Sequence, residues 1–179
     1  SYRGERIGRL APPADIPFAP GRLAVDEQGR LYVINKIKSN CAVFNSKDIF
    51  QYTIGKDLFS LAGVAVTKDR VYLITSFGIH VIYVYDKEGN LIMAFEGIQD
   101  QGGTLGLPVS GKIDKDGSLW LVDALRGIVI YNKDGKEITR FTNYGKAKGQ
   151  LFFPIDIDLD NNDMLYVVEK GAKRISVFK

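Results

Sequence analysis

Residues 20–35 read "PGRLAVDEQGRLYVIN". An apolar-flanked stretch runs into Asp26, a turn rich in Glu, Gln and Gly follows, and the chain then resumes in a β-branched and aromatic run through Leu31, Tyr32, Val33 and Ile34. Alternation of this kind around an Asp/Gly turn predicts a β-hairpin. The same arrangement returns three times, as "LAGVAVTKDRVYLIT" (61–75), "PVSGKIDKDGSLWLVD" (108–123) and "PIDIDLDNNDMLYVVE" (154–169). Tyr32, Tyr72, Trp120 and Tyr166 hold the same place in the four copies, which puts successive units 40 to 48 residues apart. Self-similarity at that period is the mark of a repeat architecture.

Each copy extends outward in the same way. A third strand follows the hairpin ("NCAVFN", "IHVIYVYD", "GIVIYN", "RISVFK"), then a second turn ("NSKD", "DKEGN", "NKDGK") and a fourth strand ("IFQYTI", "LIMAFEG", "EITRFTNYG"). No helical periodicity competes. Third strands such as "VIYVY" are apolar at every position, so their sheets must be covered on both faces. Four-stranded antiparallel units, each stacked between others, predict an all-β fold, a β-propeller with four blades in this chain. The blades fall at about 20–57, 61–97, 108–145 and 154–179, the last completed by residues 4–10, in a single domain over 1–179. That assignment rests on "RGERIGRL", which matches "DGKEITRF" at Gly4/Gly135, Ile7/Ile138, Arg9/Arg140 and Leu10/Phe141, so the first residues read as a displaced fourth strand.

The composition fits an ordinary globular domain: 179 residues, 45% hydrophobic, 25% charged, with a net charge of +3 that demands neither nucleic acid nor an anionic membrane as partner. The least charged stretch is broken by Lys68, Asp69 and Arg70, so no segment reaches the roughly 20 apolar residues of a membrane-spanning helix. The single cysteine, Cys41, lies in an alternating apolar run and reads as a small buried hydrophobe.

With Pro20, Pro108 and Pro154 each six residues before Asp26, Asp114 and Asp160, with the Gly-rich bridge "GKAKGQLFFP", and with Arg174-Ile175 opening "RISVF", the repeats resemble NHL repeats. The second copy departs, having Leu61 and Thr67 at the Pro and Asp positions. The resemblance implies a propeller, more often closed with six blades, which makes part of a larger ring the alternative to a closed four-bladed one. It also implies an interaction module, and export to a periplasmic or extracellular location.

His80 is the one histidine and has no second His or Cys with which to complete a transition-metal site. Asp26, Asp114 and Asp160 occupy one repeat position and read as turn formers, as does Asp163. Asp156 and Asp158 alternate on an innermost strand, pointing toward the central channel, and are the weak metal candidates, with Ca²⁺ as the cation. No catalytic residue and no other cofactor is assigned. The runs "QGGTLGLP" and "YGKAKGQLFFP" precede no helix and are bridges between blades, not phosphate loops.

Loops therefore carry the functional expectation. The connections after each second strand and the blade-to-blade bridges should emerge on one face of the ring, which collects Lys36, Lys38, Phe77, Arg126, Tyr144, Lys146, Lys148, Lys170, Lys173 and Arg174. The expected function is a non-enzymatic scaffold that binds another protein there. The alternatives are RNA or a polyanionic glycan on the same basic face, or a metal-dependent lactonase-like propeller using Asp156 and Asp158.

Overall fold

The computed structural model describes residues 8–98 and 103–179. These residues contain fifteen strands and no helix, in four antiparallel sheets. The first blade comprises β1 (Pro20–Val25), β2 (Leu31–Asn35), β3 (Asn40–Phe44) and β4 (Phe50–Ile54). The second comprises β5 (Leu61–Val66), β6 (Arg70–Thr75), β7 (Ile82–Asp86) and β8 (Leu91–Phe95). The third comprises β9 (Pro108–Ile113), β10 (Leu119–Asp123), β11 (Gly127–Tyr131) and β12 (Glu137–Phe141). The fourth has β13 (Pro154–Leu159), β14 (Leu165–Glu169) and β15 (Arg174–Phe178). Strand order in each sheet follows the chain, and the inner strands β1, β5, β9 and β13 lie side by side around an axis, giving a four-bladed β-propeller.

The repeat spacing acquires a physical reason at the turns. Asp26 Oδ1 accepts the backbone N–H groups of Gln28 (3.1 Å) and Arg30 (2.9 Å), Asp114 Oδ1 those of Asp116 (2.9 Å) and Ser118 (2.8 Å), and Asp160 Oδ1 those of Asn162 (2.8 Å) and Met164 (3.0 Å). Each is an Asx turn. The second carboxylate oxygen takes the aromatic six residues on: Tyr32 OH donates to Asp26 (3.1 Å), Trp120 Nε1 to Asp114 (2.8 Å) and Tyr166 OH to Asp160 (3.3 Å). In the second blade Thr67 Oγ1 substitutes, accepting from Arg70 N at 3.0 Å. Gly29 and Gly117 stand at φ 73° and 84° in these turns, and Asp163 fills the same place at φ 59°.

Each blade has two apolar faces, and the core lies between blades. The leading face of the first blade, Tyr32, Ile34, Cys41 and Val43, packs on the trailing face of the second, Val64, Leu73 and Tyr85. Tyr72, Ile74, Ile82 and Val84 meet Leu119, Leu121, Val129 and Tyr131 at the next junction, and Val122 and Ile128 meet Ile157, Leu165, Val167 and Phe178 at the third. Cys41 is fully buried, and that burial pushes its thiol pKa up to about 12, so it serves as packing.

The first junction also carries a charged tie. Lys87, in the turn after β7, reaches Asp26 Oδ2 (3.3 Å) and Tyr32 OH (3.2 Å), with its ammonium 4.6 Å from the Tyr32 ring centroid.

The expected fourth strand of the last blade, residues 4–10, falls mostly outside the described residues. Residues 4–7 lie outside the described residues, Gly8 to Leu10 form no strand, and Leu10 packs with Val33, Ala42 and Phe44 of the first blade. The fourth sheet contains three strands among the described residues. What fixes Leu10 is the apolar trailing face of the first blade, which it covers together with Phe18.

Candidate functional site

Antiparallel order sends the connections after β2, β6, β10 and β14, and the ends of β4, β8 and β12 from which the bridges leave, to one end of the ring of blades. Hydrogen bonds join them there. The last residue of each second strand is a buried polar group: Asn35, Thr75, Asp123 and Glu169. Asn35 Oδ1 accepts from Ala19 N (3.2 Å) and Ile37 N (3.1 Å), while its Nδ2 donates to Pro17 O (2.8 Å). Asp123 accepts from four backbone N–H groups, those of Gly106 (2.5 Å), Leu107 (2.9 Å), Leu125 (2.9 Å) and Arg126 (3.0 Å). Glu169 accepts from Phe152 N (2.7 Å), Arg174 Nε (2.7 Å) and the Ser176 hydroxyl.

In the first, third and fourth blades these latches tie the loop after the second strand to the segment entering the same blade, whereas Thr75 Oγ1 donates only within its own loop, to the carbonyl of Phe77 (3.2 Å). Burial alone would raise the Glu169 carboxyl pKa, but the Arg174 guanidinium, the Ser176 hydroxyl and the Phe152 N–H outweigh it and hold the group below its usual range.

The loops of this end present apolar side chains to solvent. Phe59 is 75% exposed and Ile79 71% exposed, and Ile37, Phe77, Leu125, Tyr144 and Phe153 are exposed beside them. On the third bridge Tyr144, Phe152 and Phe153 form an aromatic cluster with ring centroids 4.9 to 5.4 Å apart, and Lys146 Nζ lies 4.5 Å from the Phe152 ring centroid. The structure brings all ten residues expected on this face to its surface, and each is exposed. Arg174 alone is committed elsewhere, to Glu169 and to the Gln150 carbonyl (3.0 Å). Sequence reading singled out Phe77 and Tyr144 but passed over Ile37, Phe59, Ile79, Leu125 and Phe153. Their signal was an apolar residue in a segment otherwise polar and turn-like.

A second feature lies on the axis. A cavity of about 790 Å³ is bounded by the four inner strands and by Tyr166, Val168 and Ile175 of the fourth blade. Asp156 and Asp158 line it, as their alternation on β13 predicts, but both are engaged. Asp156 Oδ1 accepts from Arg22 Nη1 (3.2 Å) and Ser110 Oγ (2.5 Å), and Asp158 faces Lys112 Nζ at 2.8 Å. Arg22 also donates to the carbonyls of Val109 (2.9 Å) and Ile155. Among the described residues no three His, Cys, Asp or Glu side chains cluster in a way that could hold a metal ion. His80 is exposed in the loop between β6 and β7.

No protein-family profile and no curated protein sequence matches the chain. Solved β-propellers do. The chain is similar to virginiamycin B lyase from Staphylococcus aureus, with 17% identity over 89% of this chain and 55% of that one, at a TM-score of 0.66. It resembles a structure of a nidogen/laminin complex at 19% identity, 90% and 61% coverage and a TM-score of 0.70. A gluconolactonase from Xanthomonas campestris matches at 15% identity, 88% and 56% coverage and a TM-score of 0.66. The chain thus spans less than two thirds of the length of these relatives, and identities this low establish the β-propeller fold alone.

Proposed function

We propose that the chain is a protein-interaction scaffold that docks a partner through the loop end of its blades. The carrying observation is that blade after blade places a large apolar side chain in solvent at that end (Ile37, Phe59, Phe77, Ile79, Leu125, Phe153), interleaved with exposed Lys36, Lys38, Arg126, Lys146, Lys148, Lys170 and Lys173. Apolar anchors amid cations suit a protein segment that offers acidic residues around apolar ones. The NHL-like repeat pattern supports the reading, and one similar structure is itself a complex between proteins.

A basic surface also attracts RNA or polyanionic glycans, and the lactonase-like alternative would use Asp156 and Asp158. The exposed aliphatic anchors favour protein, and both carboxylates are held by cations. The test is affinity capture from the native cell extract. Phe59→Ser/Phe77→Ser/Ile79→Ser and Lys146→Glu/Lys148→Glu/Lys170→Glu/Lys173→Glu should each lose the captured protein with the melting temperature unchanged. Capture of the same protein by both variants would refute the docking surface. Nuclease-sensitive capture with a steep salt dependence would transfer the assignment to nucleic acid.

A further inference from the structure

The loop end differs in chemistry from one corner to another. Between the first two blades it is apolar: residues 58–64 and 75–79 contain no charged side chain, and Ser76 N donates to Ser60 O (3.0 Å), which sets the Phe59 segment beside the loop of Phe77 and Ile79. Between the third and fourth blades it is basic. The bridge 142–153 and the loop 170–173 carry Lys146, Lys148, Lys170 and Lys173 and no acidic residue. The adjoining carboxylate, Glu169, is buried and committed to Phe152 N, Arg174 and Ser176. All four lysines are exposed, and among the described residues none of them forms an ion pair.

The fold holds these two basic segments together as one surface. Lys170 N donates to Phe153 O (3.0 Å), Arg174 Nη2 to Gln150 O (3.0 Å), and Ala147 N to Gln150 Oε1 (3.0 Å). Gly171 lies so close to the bridge that a Cβ there would stand 2.6 Å from Phe152 Cδ1 and 2.8 Å from the Phe152 carbonyl oxygen. Between the lysines lie Tyr144, Phe152 and Phe153, tilted against one another by 49° to 90°, with Lys146 Nζ over the Phe152 ring. Rings in contact at such angles leave no slot for a nucleobase, whereas a further aromatic side chain can join them edge to face at Tyr144 and Phe153, which reach solvent.

We infer that this corner receives an acidic stretch of the partner in which Asp or Glu residues flank an aromatic side chain. The carboxylates meet the four unpaired ammoniums and the ring packs on Tyr144 and Phe153. This rests on the loop end being the docking surface, and it confines the acidic part of the partner to the third and fourth blades, leaving its apolar part to the first and second.

A labelled random copolymer of Glu and Tyr, titrated with the 179-residue chain at fixed ionic strength and followed by fluorescence anisotropy, tests this against polyglutamate and polyadenylate. The copolymer should bind roughly tenfold more tightly than polyglutamate. Lys146→Glu/Lys148→Glu/Lys170→Glu/Lys173→Glu should weaken it on the order of a hundredfold and Phe153→Ser roughly tenfold, while Phe59→Ser/Ile79→Ser, in the other corner, should leave it unchanged. The inference is overturned by a copolymer that does not bind or binds no better than polyglutamate, by equal losses in the two corners, or by tighter binding of polyadenylate, which would assign the corner to nucleic acid. If the copolymer fails to bind while Phe59→Ser/Phe77→Ser/Ile79→Ser still abolishes capture of the partner from extract, the docking surface stands and the acidic corner alone is refuted.

Discussion

Replacing Asp26 by alanine should be among the most destabilising single changes at any repeat turn. The Asp26 side chain is 1% exposed and Lys87 is 8% exposed, and the carboxylate is the only anion bonded to that ammonium among the described residues. Its removal strands a charge between the first two blades, deletes the Asx turn and frees the Tyr32 hydroxyl. Breaking a buried pair from one side costs about 3–5 kcal/mol. For a chain of this length each kcal/mol lowers the melting temperature by about 2–4 °C, so a fall of roughly 6–20 °C is expected. Lys87→Met alone should cost far less, because Asp26 keeps Arg30 Nε at 2.8 Å and its two turn N–H groups. The informative species is the double variant Asp26→Ala/Lys87→Met. Removing the stranded ammonium should recover about 2 kcal/mol relative to Asp26→Ala, a coupling within the range seen for residues in contact. Urea unfolding followed by Trp120 fluorescence and circular dichroism measures all four corners of the cycle. A double variant no more stable than Asp26→Ala, or an Asp26→Ala shift below about 2 °C, would refute the claim that a compensated buried charge holds this junction.

Two further outcomes separate positions that look alike in the repeat. Tyr32→Phe should cost about 1–3 kcal/mol by leaving buried partners of its hydroxyl unsatisfied, whereas Tyr166→Phe, whose bond to Asp160 is exposed, should cost less than about 0.5 kcal/mol in the same unfolding assay; equal costs would count against the junction as the source of the difference. Glu169 has a folded pKa held below its usual value, so its contribution is present above the unfolded carboxyl pKa of about 4.3 and is lost as pH falls through the lower folded value. Glu169→Gln should therefore flatten the acid side of the stability–pH curve, and parallel acid limbs in the two proteins would show that the latch does not depend on the charge.

The repeats were legible because turn and strand chemistry is local. An Asx turn needs its carboxylate a fixed number of residues from the N–H groups it accepts, so the six-residue spacing from Asp26, Asp114 and Asp160 to Tyr32, Trp120 and Tyr166 survives as a pattern in the chain. The channel position of Asp156 and Asp158 was legible for the same reason, since alternation along a strand fixes the side. Their partners were not: Arg22 lies 134 residues from Asp156, and a contact across the axis leaves no spacing to read. The destination of the N-terminal strand was ambiguous for a related reason. Likeness to "DGKEITRF" predicts an outer strand for residues 4–10, whereas which blade receives it depends on contacts distant in the chain. Among the described residues Leu10 packs on Val33, Ala42 and Phe44, a contact more than 20 residues away that no local spacing announces.

The same distinction between local and long-range terms accounts for the loop end. Exposed Phe59, Phe77 and Ile79 would ordinarily fold back onto apolar surface, because leaving a large side chain in water forgoes roughly 1.5–3 kcal/mol each. The neighbouring core offers no room, since each blade face at Tyr72, Ile74 and Ile82 is already filled by its neighbour. At the other three blades, the latches hold loop backbone beside Ile37, Leu125 and Phe153: Asn35 Oδ1 accepts two backbone N–H groups, Asp123 four and Glu169 that of Phe152. A loop fixed in place while its apolar side chain stays in water has already spent most of the ordering entropy that association would otherwise cost, so burying that side chain against a partner is nearly pure gain. That combination of buried polar latch and exposed apolar tip, present in the first, third and fourth blades, is the physical ground for placing the docking surface at the loop end and not at the opposite end. There the turns between β1 and β2, β9 and β10, and β13 and β14 present mainly Asp, Asn and Gly.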